Sequence, residues 1–330
     1  MNLTKVKNLL IIRLSSLGDI LLTTPLVRSI KKKYPEIKID FILKEEYKDL
    51  LKFNPYLSKV IEYSNDKNEK ERFRAQLEMQ KYDLVIDLQN NFRSAGIRKK
   101  IKSPLIKFNK RTIDKFLLVK FKINRLKNAP QIPVRYSESL DNFKLDDEGL
   151  DLFFPSNIKP ELYEEKKIIG FAPGSRHFTK IWPKDNFIEL GNKLTSEGFQ
   201  VVLFGGESDL QICYEISNKI PSSINLCNGN NLYKTSVNMK QCSALVCNDS
   251  GLMHVASALK VPLLAFFGST VKEFGFTPYN CENIIYENIK LNCRPCTHIG
   301  KDKCPKKHFK CMLELTPQTA LEKLKLLLSN

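Results

Sequence analysis

Residues 7–33 read KNLLIIRLSSLGDILLTTPLVRSIKKK. The apolar run at 9–12 is too short for a buried helix and stops at Arg13, as a buried strand does. Small residues follow, Ser15, Ser16 and Gly18, and an apolar pattern at helical spacing then runs to the lysines at 31–33. Strand, tight loop and helix make one βα unit, and the unit repeats. Strands are read at 7–12, 37–43, 59–63, 84–88 and 105–108. Helices are read between them at 20–33, 45–53, 68–81 and 92–101, with two more at 112–121 and 136–143. Repeated βα units give a mostly parallel sheet covered on both faces.

The alternation breaks at 144–167, a charged stretch with Pro155 and Pro160. It then resumes with strands at 168–172, 200–204, 224–226, 244–247 and 263–267, and helices at 184–197, 207–220, 232–241 and 251–259. The expectation is an α/β chain of two doubly wound, Rossmann-like domains, residues 1–155 and 156–330, facing a central cleft. A last helix is marked by Thr316 as N-cap and Pro317 in the first turn. Its apolar stripe is Ala320, Leu321, Leu324, Leu327 and Leu328, and it is expected to pack back toward the N-terminal domain.

Composition agrees with two folded domains. The 330 residues are 42% hydrophobic and 27% charged, which excludes a disordered or collagen-like chain. No apolar run approaches the roughly 20 residues of a membrane helix. The apolar stretch after Lys5 and Lys7 ends at Arg13, unlike a secretory signal, so the protein is expected in the cytoplasm. Nine cysteines therefore do not read as a disulfide framework.

The net charge of +17 is uneven. Residues 91–135 hold 14 basic side chains and one acid, Asp114. A solvated basic face is the plain reading. The functional one is a surface for a polyanion: a phosphorylated glycolipid, an anionic membrane or nucleic acid.

Four loops follow strands and carry chemistry. Arg13–Asp19 places Asp19 at a helix start, as a cap or as a base. Ala172–Arg176 offers Gly174 and Ser175 to phosphate oxygens, with Lys180 as a point charge. Phe204–Asp209 sets Glu207 or Asp209 where an acid could hold a ribose diol; without G-x-G-x-x-G a nicotinamide cofactor is not expected. The stretch 248–254 puts the amides of Ser250 and Gly251 at a helix N-terminus, an anion site, with Asp249 before it and His254 one turn in. Phosphate loops, a ribose acid and a lysine fit a nucleoside diphosphate. One carboxylate base acting on an activated phosphate ester describes sugar transfer.

The motifs RLSSLGD (13–19), APGSRHFTKIWP (172–183), FGGESD (204–209) and NDSGLMHVASAL (248–259) resemble, in order and spacing, the bacterial heptosyltransferases of glycosyltransferase family nine. The terminal CRPC…CP…CM segment is similar to that of heptosyltransferase II-like members. The resemblance implies the GT-B architecture and an inverting transfer of heptose from ADP-heptose to the lipopolysaccharide inner core, with no cofactor and no metal. It implies Asp19 as general base and Lys180 as the neutraliser of the leaving diphosphate. Gly174, Ser175, Ser250, Gly251 and His254 would contact the donor, with Asp249 on its sugar and Glu207 on its ribose. The implied partners are an ADP-sugar and a phosphorylated glycolipid at the anionic inner face of the cytoplasmic membrane, where Arg98, Lys99, Lys100 and Lys102 would meet the surface.

Cys293, Cys296, Cys304 and Cys311 could hold a structural zinc; the first pair has zinc-like spacing and the second does not, so packing thiols are preferred. Two rival functions stand beside transfer. A nucleotide-sugar epimerase of the same shape needs further acid/base residues that the loops do not display. A nucleic-acid binder would use residues 91–135, but these match no nucleic-acid motif, and phenylalanines there at helical spacing are expected in the core.

Overall fold

Strand β1 (Asn8–Ile12) is the axis of the first sheet, and Leu9 to Ile12 are wholly enclosed. The computed structural model describes residues 3–64, 66, 73, 77, 79–99, 101–141, 143–162 and 167–329. Most of the helix expected at 68–81 lies outside them, as does Lys100. The chain divides into two units, Met1–Thr112 with Ile132–Phe154, and Ile113–Gln131 with Pro155–Asn330.

In the first unit β1 lies between β2 (Lys38–Lys44) and β4 (Leu84–Asp87), flanked by β3 (Lys59–Tyr63) and β5 (Leu105–Lys107). All pairings are parallel, in the order β3-β2-β1-β4-β5. Leu9 stands opposite both Ile39 and Leu84. Apolar on both faces, β1 has to be covered by helices on both sides.

The single helix expected at 20–33 is two, α1 (Leu17–Leu21) and α2 (Thr24–Lys33). Pro25 has no N–H to give Leu21, and the Thr24 hydroxyl donates to the Leu21 carbonyl instead, at 2.8 Å. Helix α3 (Phe92–Arg98) is capped by Asn91, whose side chain accepts from the N–H groups of Arg93 and Ser94. The stretch expected as a helix at 45–53 forms only a 3₁₀ turn, Glu45–Leu50. Helix α4 (Thr112–Phe121) enters the second unit from Ile113 on, and α5 (Ile132–Glu138) returns to the first. The basic segment 91–135 is thus shared: five of its 14 basic residues, Lys115, Lys120, Lys122, Arg125 and Lys127, belong to the second unit.

The second unit has six parallel strands: β6 (Ile168–Ala172), β7 (Gln200–Leu203), β8 (Ile224–Asn225), β9 (Ala244–Asn248), β10 (Leu263–Phe267) and β11 (Asn283–Glu287). Their order is β11-β10-β9-β6-β7-β8. The helices are α6 (Lys184–Ser196), α7 (Leu210–Ser217), α8 (Leu232–Met239), α9 (Gly251–Ala258), α10 (Lys310–Leu313) and α11 (Pro317–Leu328). Strand β11 escapes the sequence reading because no helix precedes it. It is a partly buried edge, joined to β10 through a loop and a 3₁₀ turn.

Helix α11 is capped by Thr316 as expected, with Oγ1 accepting from the Thr319 N–H. Ala320, Leu321, Leu324 and Leu327 are buried in the core of their own unit, against α6 and strands β9 to β11. Burial of that stripe against the sheet's own apolar face stabilises the unit.

One buried cation ties the first unit's return segment to α2. Arg28, 1% exposed, donates to Asp146 and to the Gly149 carbonyl and forms an ion pair with Asp151. Arg28→Leu leaves Asp151 without this partner and Asp146 with Lys32 alone. The expected loss is about 2–3 kcal/mol, below that of a fully buried pair because both carboxylates reach solvent. A urea titration reads it as a lower midpoint; an unchanged midpoint contradicts the role.

Candidate active site

Ligands of doubly wound sheets sit outside the carboxyl ends of strands where the winding reverses. That point lies between β1 and β4 in the first unit and between β6 and β9 in the second. In each unit the two loops that leave this point are cross-linked by side chains.

In the first unit Gln89, just after β4, accepts the N–H groups of Leu14 and Ser15 at 3.0 and 3.2 Å. Arg13 donates back to the Leu88 carbonyl at 2.6 Å, and its other terminal nitrogen lies 2.5 Å from Asp19 Oδ1. Asp19 Oδ2 accepts from the Ser16 N–H (3.1 Å) and hydroxyl (2.8 Å). The carboxylate is therefore both a helix cap and a group fixed in place, with its side chain still 20% exposed. Burial raises its pKa, but Arg13 and the two Ser16 bonds together outweigh burial, and the carboxyl lies below its usual range.

Beneath the loop sits Asp87, fully enclosed at the end of β4. It accepts from the N–H groups of Gln89 and Asn90 and from the Ser94 hydroxyl, and it forms an ion pair with Arg98, whose Nε lies 2.9 Å away. Asp87 holds the 88–91 turn, the turn holds Gln89, and Gln89 holds the Asp19 loop. This scaffold is not visible in the sequence, since one Asp in one βα loop looks like any cap. It also corrects one assignment: Arg98 is not a surface cation but the partner of a buried carboxylate. Lys99 and Lys102 are exposed. Lys110 is a further cation beside this loop. Burial and the charge of Arg13 lower its pKa, against the pull of Asp87 and Asp19.

In the second unit Asn248, fully buried at the end of β9, joins three segments. Its Oδ1 accepts the Trp182 N–H at 3.0 Å and its Nδ2 donates to the Pro173 carbonyl at 2.7 Å. Trp182 is enclosed, stacked on Phe266 at 4.1 Å, with its indole N–H on the Leu315 carbonyl. That anchorage sets Lys180, two residues before it. Lys180 Nζ lies 2.7 Å from Asp249 Oδ2, which also accepts the Thr270 hydroxyl at 2.7 Å. Ser175 Oγ reaches the Asp249 carbonyl at 3.4 Å. Ser250 is the N-cap of α9 and Gly251 its first residue, so the leading amides of α9 open beside this pair. His254 is buried on the first turns of α9.

The glycine loop sorts its two acids. Asp209 Oδ2 accepts from the Gly206 N–H at 3.0 Å, and its carboxylate packs so close to Gly174 that a Cβ there would stand 2.1 Å from Oδ1. Asp209 is a structural brace, and Glu207 stays exposed. A cavity of ≈ 300 Å³ lies along Gly174, Ser175, Ile181, Ser208 and Asp209.

The C-terminal cysteine segment braces the lysine loop. Arg294 donates to the carbonyls of Phe267, Gly268, Thr270 and Asn288 and pairs with Glu287. Thr179 bonds Lys301 through its N–H and its hydroxyl. Cys311 is buried in the core, and Cys293 Sγ lies 3.8 Å from His308 Nε2. Among the described residues no three His, Cys, Asp or Glu side chains converge as a metal site.

The family model of glycosyltransferase family 9 (heptosyltransferase) matches residues 71–310. The chain belongs to glycosyltransferase family 9. It is similar to lipooligosaccharide heptosyltransferase 2 of Haemophilus influenzae, 28% identical over 98% of this chain and 100% of that one. The same-named protein of Campylobacter jejuni is 29% identical over 95% and 96%. Among solved structures, the ADP-heptose lipopolysaccharide heptosyltransferase II of Escherichia coli aligns with TM-score 0.74 at 26% identity, over 97% and 98% of the two chains. A family 9 protein of Veillonella parvula aligns with TM-score 0.78 at 23% identity over 98% and 97%, a likeness of fold. The architecture is GT-B, and the protein is a glycosyltransferase.

Arg13 keeps Asp19 ionised. Arg13→Gln removes the charge opposing burial, so the Asp19 pKa rises. The acid limb of a kcat/KM profile set by Asp19 moves to higher pH, and an unmoved limb contradicts the pairing. Stability follows the same sign. With a folded value below the unfolded one, the contribution of Asp19 is full above the unfolded value and is lost as pH falls through the folded value.

Proposed function

We propose that the protein transfers heptose, with inversion, from ADP-heptose to the inner core of lipopolysaccharide. The observation that carries this reading is Lys180 held by Asp249 beside the open N-terminus of α9, at the switch point of the second sheet. A diphosphate leaving group gathers charge as the glycosidic bond breaks, and a preset cation with helix amides stabilises it best at that moment. No metal is needed for that step.

Asp19 takes the acceptor hydroxyl proton as the oxygen attacks the anomeric carbon, and the bond to the diphosphate breaks on the opposite face. One base and one stabilised leaving group suffice, without a covalent intermediate. Ser175, Ser250 and Gly251 contact the phosphates, Gly174 lets them approach the backbone, Asp249 meets the sugar and Glu207 the ribose. His254 shapes the same pocket from within α9.

The acceptor is a phosphorylated glycolipid at the inner face of the cytoplasmic membrane, and the enzyme works there as a peripheral protein. Among the described residues no helix is long and apolar enough to cross a membrane. Basic side chains near an anionic surface contribute about 1 kcal/mol each. Lys99 and Lys102 are exposed.

A donor screen tests the reading, with ADP-heptose preferred over other nucleotide sugars. Asp19→Asn is expected to lower turnover by ~10²–10⁴-fold with ADP-sugar binding retained. Lys180→Ala should lower kcat by ~10²–10³-fold, more than it raises the donor KM. Near wild-type turnover in the Asn variant leaves Asp19 as a cap only, and a Lys180 effect confined to KM removes its role at the leaving group.

A further inference from the structure

Helix α4 carries its apolar residues on the wrong side for a core helix. Ile113, Phe116, Leu117, Lys120 and Phe121 recur at the spacing of one face. Ile113 is 73% exposed, Phe116 52% and Phe121 54%, and Ile123 just beyond is 50% exposed. The opposite face supplies the core: Leu118 packs with Leu126 and Phe274. The expectation that these phenylalanines are buried fails here. Two rings stand at the surface 5.9 Å apart, with the Lys120 ammonium over both.

Beside this face lies a cavity of ≈ 610 Å³. Lys120, Lys122, Lys301, Lys306 and His308 line it, and none of its lining residues is acidic. Two distant stretches build it. Residues 113–127 hold five basic side chains and Asp114, and residues 301–310 hold five lysines and Asp302. Lys122 fastens one to the other through the carbonyls of Cys293 (3.1 Å) and Pro295 (2.6 Å). The mechanism proposed above uses neither the helix face nor the cavity.

An apolar stripe edged by lysines matches the bilayer interface, where rings enter among the acyl chains and ammonium groups stay with lipid phosphates. We propose that this face of the second unit docks on an anionic membrane, the outward stripe of α4 entering the interface and the adjoining lysine cavity seating a lipid phosphate. The inference rests on the reading that the acceptor is membrane-borne. It places the contact on α4 and residues 301–306 instead of residues 98–102.

Phe116→Trp gives a reporter, because the one native tryptophan, Trp182, is fully buried. The full-length variant is floated with vesicles of phosphatidylcholine alone and of equal parts phosphatidylcholine and phosphatidylglycerol. The expected result is flotation with the anionic vesicles, weakened by salt, and a blue shift of the new indole. Phe116→Ser with Phe121→Ser should lower the partition coefficient by about tenfold or more per ring. Lys301→Glu with Lys306→Glu should weaken anionic binding and flatten its salt dependence. Flotation without an indole shift, or undiminished in the double serine variant, overturns the proposal. So does a concentration-dependent mass in light scattering that the serine variant abolishes, since the stripe is then an interface between copies. Transfer to a lipid-free acceptor fragment is assayed on the same proteins. Its absence in the wild type counts against the heptosyl reading, and its persistence while vesicle binding fails counts against the docking face alone.

Discussion

Everything functional in this protein depends on a constraint of parallel sheets. Where the winding reverses, two neighbouring strands send their loops to opposite faces and leave polar backbone groups at the carboxyl edge without a ladder. Each unit satisfies those groups with side chains that bridge the two loops. Gln89 and Arg13 do so between β1 and β4, and Asn248 does so between β6 and β9. The same bridges hold Asp19 and Lys180, the two groups to which the proposed function gives the chemistry. Arg13 carries Asp19 on its other nitrogen, and Asn248 fixes the Trp182 backbone two residues from Lys180.

Both reactive groups are stored as ion pairs, Asp19 with Arg13 and Lys180 with Asp249. A pair of this kind limits where a flexible side chain can go. For Asp19 the consequence is a carboxylate held below its usual pKa range. For Lys180 the partner is a residue of the donor loop itself, so cation and anion enter the second site together. The C-terminal segment serves the same end from behind. Arg294 gathers the carbonyls after β10, where Thr270 supports Asp249.

The sequence made the βα rhythm legible because buried parallel strands are short apolar runs with a loop at each end. The loops after β1, β6, β7 and β9 stood out because small residues and single charges follow a strand there, although the same residues also serve as caps and braces, as Asp209 does. The bridges were not legible. Asp87, Gln89 and Arg98 are ordinary residues in a loop and a helix, and only three-dimensional pairing distinguishes Arg98 from the exposed lysines after it. Strand β11 lacked a preceding helix, and a proline with two threonines split the first helix where periodicity ran through. The outward phenylalanines of α4 misled in the other direction. Helical spacing shows that a face exists but not whether protein or solvent meets it.

One base and one stabilised leaving group imply a single displacement at the anomeric carbon. The most direct measurement is the anomeric configuration of the product, followed by proton NMR from the first turnovers of the full-length protein with ADP-heptose and a lipid-free inner-core acceptor. The account predicts a product opposite in anomeric configuration to the donor from its first appearance. A product that keeps the donor's configuration requires a covalent or front-face route, in which Asp19 is not the base of a single displacement, and contradicts it.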